Sequence, residues 1–146
     1  SHYDEDYINL RTIAEELIRL LTLAMVPRER HIYCEYHGED IMLSSHTAGY
    51  VSLVLNELLS NCLEHGFGNV RDGHVLVKAS TDADGVLLTV SDDGKGLPDE
   101  FDLRKSKRLG LQIIRNLVEN ELQGTVTIEP AEDGGTVATV RFAGKE

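Results

Sequence analysis

The stretch "LVLNELLSNCLEHGF", Leu53 to Phe67, decides how this chain is read. Val54, Leu55, Leu58, Leu59, Cys62 and Leu63 recur near helical spacing, so the segment reads as an amphipathic helix with a side to bury. Yet Glu57, Asn61, Glu64 and His65 fall at i, i+4, i+7 and i+8, one above another on a single face. An amide such as Asn61 presents an oxygen that can ligate a hard cation like Mg²⁺, which borrows phosphate oxygens for its remaining positions. Glu57, one turn earlier, could orient or deprotonate a hydroxyl or a water. The same four residues would also serve as the solvated face of an ordinary helix.

Working outward, Ser45 or Thr47 is the expected N-cap of this helix and Gly66 its expected C-terminal cap. Upstream, Ile8, Ile13, Leu17, Leu20, Leu21 and Leu23 predict a helix over residues 7–25, ended by Pro27. "HIYCEY", His31 to Tyr36, predicts a strand, and "DIMLS" a second short extended piece. Downstream the period changes to two. "HVLVKAST" and "VLLTVSD" flank Asp82–Gly85, a hairpin signal, and "TVTIEP" and "TVATVRF" flank Glu132–Gly135, a second one. Between the hairpins, "RLGLQIIRNLVENEL" returns to helical spacing. Helices alternating with strand pairs predict an α/β chain of the α+β kind: a two-layer sandwich with helices on one face of a mixed sheet.

Composition bounds the function. The 146 residues make one domain by length, and 41% hydrophobic content fills one core. With 14 basic and 25 acidic residues the net charge is −11, which argues against a protein that tracks nucleic-acid backbone. A small anionic ligand needs only a local site and is not excluded. Cys34 and Cys62 have no metal-ligand spacing, and Cys62 falls on the apolar side of its helix; a reducing cytoplasm is the expectation. The longest apolar run, "LIRLLTLAM", is interrupted by Arg19 and too short to span a bilayer. Ser1-His2 has the pattern of a cloning remnant, and the chain reads as a piece of something longer.

Three further motifs carry chemistry. In "VSDDGKGLP", Val90 to Pro98, a strand ends in Asp92, and Gly94 and Gly96 allow close backbone approach to a ligand. A carboxylate at that strand end could accept from an exocyclic amine. Left unpaired in a pocket it costs roughly 1–3 kcal/mol or more, so it selects for the right base. Taken alone, Asp-x-Gly-x-Gly also fits any surface turn. It is neither an EF-hand loop nor a Walker A loop, since the Glu and the Gly-Lys-Ser/Thr are missing. In "RKSKRLGLQII", Arg104, Lys105, Lys107 and Arg108 run straight into Gly110 and a helix start, where free N–H groups and the dipole favour an anion. A solvated basic loop is the alternative. Gly135-Thr136 opens the last strand.

In this order and spacing the motifs resemble the ATP-binding domain of the family that joins sensor histidine kinases, type II topoisomerases, a heat-shock chaperone and mismatch-repair ATPases. "NELLSNCLEHG" resembles the family's Asn-containing helix, "DDGKG" its first glycine box and "KRLGLQII" a short form of its second. Gly135-Thr136 resembles the closing Gly-Thr whose hydroxyl supports the adenine-reading Asp. The likeness runs from about Tyr3 to Phe142 and is strongest to a bacterial histidine-kinase subgroup, through "NELLSNCLEHGF", "LGLQIIRNLVENELQGTVTIE" and the first helix "YINLRTIAEELIRLL".

The resemblance implies a Bergerat-type ATP-binding fold: one domain over 1–146, with a leading helix over 1–26 and a nucleotide-binding core over 27–146. It implies ATP and Mg²⁺ as cofactors. Asn61 would ligate the Mg²⁺ on the ATP phosphates, and Glu57 would be the general base or would position the attacking imidazole. Asp92 would accept from the adenine amine, with Thr136 beside it. His65, Gly94, Lys95, Gly96 and Leu97 would line the nucleotide. Residues 99–109 would form a mobile lid, and Arg108, Leu109, Gly110 and Leu111 would close over the phosphates. Two departures stand out. Glu64 is acidic where histidine kinases are often basic, so a phosphate contact there falls to the lid cations, to Lys95, or to nothing. The lid is short and carries the single Gly110.

None of the six histidines lies in an acceptor-helix setting, so the resemblance implies a catalytic domain whose phosphoacceptor His sits on a helical dimerisation domain upstream. The parent would be a homodimeric two-component sensor kinase that serves a response regulator indirectly. Neither nucleic-acid binding nor membrane insertion is expected of this domain. Two alternatives share the motifs: an anti-sigma factor serine kinase of the same fold, and a non-catalytic nucleotide-sensing module.

Overall fold

A computed structural model describes residues 6–68, 72–132 and 134–144. Ser1, His2 and Tyr3, and Asp133 of the second hairpin, lie outside the described residues. The elements run β1 (Tyr7–Asn9), α1 (Leu10–Met25), β2 (His31–Gly38), β3 (Met42–Ser44), α2 (Ser45–Asn61), β4 (Asp72–Asp82), β5 (Gly85–Asp92), α3 (Leu109–Asn116), β6 (Thr125–Pro130) and β7 (Thr136–Phe142). π-helical turns extend α2 over Cys62–Gly66 and α3 over Leu117–Glu121, and a 3₁₀ turn spans Leu103–Lys105.

The sheet has the order β2-β4-β5-β7-β6, with β2 and β4 parallel and every other pair antiparallel. The mixed sheet and the two predicted hairpins are as the alternation implied. The pleat sends every second side chain to one face. Val86, Leu88 and Val90 of β5 therefore point inward with Val75 and Val77 of β4 and Ala138 and Val140 of β7, and all are buried. Asp92 keeps the same parity, so the strand that builds the core also delivers a carboxylate to the helix side of the sheet.

Helix α2 covers that face. Its side chains Ala48, Val51, Val54, Leu55, Leu58 and Leu59 are buried, each large one contributing roughly 1.5–3 kcal/mol relative to exposure. The helix starts one residue earlier than expected, because the Ser44 hydroxyl, not Ser45 or Thr47, accepts from the Thr47 N–H. It also ends differently. Gly66 closes the π turn without a left-handed conformation, which falls instead to Gly68 at φ +54°.

The first helix begins at Leu10, not at residue 7. Tyr7–Asn9 pair antiparallel with Met42–Ser44, and the Asn9 side chain caps the helix by accepting from the Arg11 N–H. Leu10 and Ala14 are fully buried in the common core, while Leu20 and Leu23, counted toward the predicted apolar face, are exposed. Within the described residues, no helix is long and apolar enough to cross a membrane.

Candidate functional site

The ends of α2, β5 and α3 converge on one cavity of about 580 Å³. All four residues of the polar stripe line it: Glu57, Asn61, Glu64 and His65. So do Asp92, Lys95, Gly96, Leu97, Arg108, Leu109, Gly110, Leu111 and Thr136. Gly94 is absent from the lining, yet it holds the wall together.

A Cβ on Gly94 would stand 1.9 Å from the Gly66 carbonyl oxygen, a contact no side chain tolerates. Its absence lets the loop after β5 lie against the end of α2, where the Lys95 N–H donates to that same carbonyl at 2.6 Å. Gly96 follows at φ +79°, which glycine adopts without strain. The loop is anchored from outside as well: Asp93 accepts from the His74 N–H at 2.7 Å and from its ring at 3.1 Å.

Asp92 is 6% exposed. Its carboxylate accepts from the Gly94 N–H at 2.9 Å, and Cys62 lines the same cavity. Register sets Thr136 beside it, since Asp92 and Thr136 are cross-strand partners. Burial pushes the Asp92 carboxyl above its usual range against the pull of the Gly94 N–H. The Cys62 thiol is pushed well up by its own burial and then by the Asp92 charge. Cys62 therefore sits at the junction of the apolar side and the cavity wall, which helical spacing alone placed wholly in the core.

At the start of α3 a second group forms. The Arg108 guanidinium donates to the Asn61 amide oxygen at 2.9 Å. A Cβ on Gly110 would stand 2.7 Å from Glu57 Oε2 and 3.8 Å from Asn61 Oδ1, so Gly110 lets the helix start reach both side chains. No side chain caps this helix end, and its first three residues line the cavity. Asn61 Nδ2 is buried with no hydrogen-bond partner among the described residues. His65 Nε2 lies 3.3 Å from the Glu64 carboxylate.

Of the four basic residues before Gly110, Arg108 alone enters the cavity lining. Arg104 turns away to pair with Glu119 at 2.8 Å. Apolar walls complete the site through Leu58, Val90, Pro98, Phe101, Ile128 and Ala138, which sequence reasoning did not single out. For Ile128 and Ala138 the signal was available, since they are register partners in the second predicted hairpin. A cavity that combines apolar walls, a buried carboxylate and the cations Lys95 and Arg108 suits a ligand with an aromatic base and anionic oxygens.

This chain belongs to the family described as histidine kinase-, DNA gyrase B-, and HSP90-like ATPases, whose profile matches residues 47–146. Relatives narrow the likeness to sensor histidine kinases. The sensor histidine kinase PdtaS of Mycolicibacterium smegmatis is 41% identical, and that of Mycobacterium tuberculosis 34% identical, each over 94% of this chain. The match covers only 28% and 27% of those relatives, so the chain spans about a quarter of their length. The histidine kinase domain of the Erythrobacter litoralis blue-light activated histidine kinase has a similar fold. Its TM-score is 0.83 at 24% identity, over 96% of this chain and 68% of that one. The catalytic domain of histidine kinase ThkA matches with a TM-score of 0.78 at 21% identity, over 97% of both chains.

Proposed function

We propose that the cavity binds Mg²⁺-ATP and that the parent protein transfers the γ-phosphoryl group to a histidine on a separate helical dimerisation domain. The observation that carries this is the convergence of the buried Asp92 carboxylate with Asn61, Glu57, Lys95 and Arg108 in one cavity. The sensor-kinase relatives, similar over 94% of the chain, support the same reading.

Asp92 would accept from the adenine amine, and the apolar walls would hold the ring plane. The phosphates would extend toward Lys95, Arg108 and the uncapped α3 N-terminus, where N–H groups and dipole favour anions. The residues fit a Mg²⁺ ion. The Asn61 oxygen already faces a cation, the Arg108 guanidinium at 2.9 Å, and an amide oxygen is a hard donor of the kind Mg²⁺ takes. The unpartnered Asn61 Nδ2 is a donor without an acceptor, which a phosphate oxygen would supply. Bound Mg²⁺ would neutralise charge on the phosphates. Arg108 would exchange its bond to Asn61 for one to the anion, as the residue hinging residues 99–109 over the site.

The attacking imidazole nitrogen must be unprotonated, so its other ring N–H needs an acceptor. Glu57, beside Gly110 at the cavity mouth, would accept that proton or hold the ring through it. Phosphoryl transfer depends mainly on positioning and charge stabilisation, and these side chains provide both without a nucleophile of their own. A response regulator would then take the phosphoryl group, and the parent would act as a homodimer through the separate domain.

The test is phosphohistidine formation by the parent chain with γ-labelled ATP. Glu57→Gln should keep nucleotide affinity and lose phosphorylation by about 100-fold or more. Phosphorylation at the unaltered rate would overturn the role of Glu57.

A further inference from the structure

We propose that Asp93 is a positioning residue for the nucleotide cavity: its carboxylate, bonded to the His74 backbone N–H, closes the last rung between β4 and β5 and so fixes the strand end from which Asp92 reaches into the site. The inference rests on the reading of the cavity as an adenine-nucleotide site.

The register carries the argument. Val75 and Asp92 are the terminal cross-strand partners of β4 and β5, so His74 and Asp93 stand where the next pair would form. In an antiparallel hydrogen-bonded pair the two residues exchange both N–H···O=C bonds. One bond of that kind is present: the Asp93 N–H donates to the His74 carbonyl at 3.3 Å. The return bond, from the His74 N–H, goes to Asp93 Oδ1 at 2.7 Å. The side chain therefore completes the rung while the backbone leaves the ladder one residue after Asp92. The other carboxylate oxygen faces the His74 ring at 3.1 Å.

The departing chain is held on its other sides as well. The Gly94 N–H donates to Asp92 Oδ1 at 2.9 Å, and the Lys95 N–H donates to the Gly66 carbonyl at 2.6 Å. A Cβ on Gly135 would stand 1.8 Å from the Asp92 carbonyl oxygen and 2.9 Å from Asp93 Cα, so the second hairpin packs directly against this peptide. Asp92 and Asp93 alternate across the pleat, one buried at the cavity and the other exposed. Without the Asp93 carboxylate, the hold on β4 falls to the single 3.3 Å bond. The Asp92 backbone can then shift with the loop, and the carboxylate that faces the base loses its fixed place. Because Asp93 is exposed, truncating it opens no core cavity.

The experiment compares wild type with Asp93→Ala, Asp93→Asn, His74→Ala and Asp82→Ala. Each is titrated with a non-hydrolysable ATP analogue by calorimetry, and the amide hydrogen exchange of His74 and Gly94 is followed by NMR without nucleotide. Asp93→Ala should weaken binding about tenfold and speed exchange of both amides about tenfold, the lower end for a hydrogen bond to a charged group. Asp93→Asn keeps the acceptor and should stay within about threefold of wild type on both readouts. His74→Ala keeps the backbone N–H and loses an exposed ring contact, so it should also stay within about threefold. Asp82→Ala breaks the contact with Arg141 at the far end of β4 and should move neither readout by more than about twofold. Unchanged His74 exchange in Asp93→Ala, or equal affinity losses in Asp93→Ala and Asp82→Ala, would overturn the inference. A folded wild-type chain that binds no ATP analogue, with the exchange changes as expected, would overturn the nucleotide reading instead.

Discussion

Gly94→Ala is the sharpest test of how the site is built. The new Cβ would lie 1.9 Å from the Gly66 carbonyl oxygen, where ordinary contact needs about 3.3–3.6 Å, the range of Cα–H···O approaches. Backbone must therefore move by more than 1 Å on the order of that difference, because neither atom belongs to a flexible side chain. Two bonds break with the movement. One is Lys95 N–H to Gly66 C=O at 2.6 Å, and the other is Gly94 N–H to Asp92 Oδ1 at 2.9 Å. A neutral bond is worth about 0.5–1.5 kcal/mol and one to a charged group about 1.5–3, so the variant should lose about 2–4 kcal/mol. In a domain of this size that is a fall of about 5–15 °C in melting temperature. Differential scanning calorimetry measures the fall directly, and the same sample titrated with an ATP analogue should show at least tenfold weaker binding, about 1.4 kcal/mol. A variant with wild-type melting and affinity would refute the claim that the loop after β5 is locked onto the end of α2.

The remaining predictions concern other parts of the same structure. Gly49→Ala, at an exposed position of α2 where a Cβ meets nothing within 4 Å, should raise stability by about 0.5–1 kcal/mol in the same calorimeter. Asp92→Asn should change the pH dependence of stability. Burial raises the folded-state pKa of Asp92, so its contribution is full below the ordinary carboxylate value and is lost as pH rises through the raised one. Denaturant midpoints of the variant should therefore gain on wild type across that interval, while adenine preference collapses. Arg104→Ala breaks an exposed ion pair with Glu119 and should cost no more than about 1 kcal/mol, read by urea titration.

Much of this architecture was legible in the chain. The period-two runs located β4 with β5 and β6 with β7, because one-sided burial enforces alternation over many residues. The polar stripe located Glu57 and Asn61 on the cavity wall, since helical spacing sets i and i+4 on one face. Shorter and more local features were lost. Tyr7–Asn9 continue the spacing of the following helix, and only pairing with residues 42–44 makes them a strand. Leu20 and Leu23 fit the predicted face numerically but lie off the side that Leu10 and Ala14 bury. The π turn at Cys62–Gly66 has no sequence signature, so the place of Cys62 in the cavity wall could not be read from a regular helix. Charge was misleading in one respect. Four cations precede Gly110, yet the ion pair with Glu119, fifteen residues along the chain, draws Arg104 away from the cavity.

The most direct measurement is a calorimetric titration of the domain with a non-hydrolysable ATP analogue, with and without Mg²⁺, beside the GTP analogue and the Asn61→Ala variant. The account predicts adenine-selective binding that weakens when Mg²⁺ or the Asn61 amide is removed. A folded domain that binds neither nucleotide, or both equally, would contradict it.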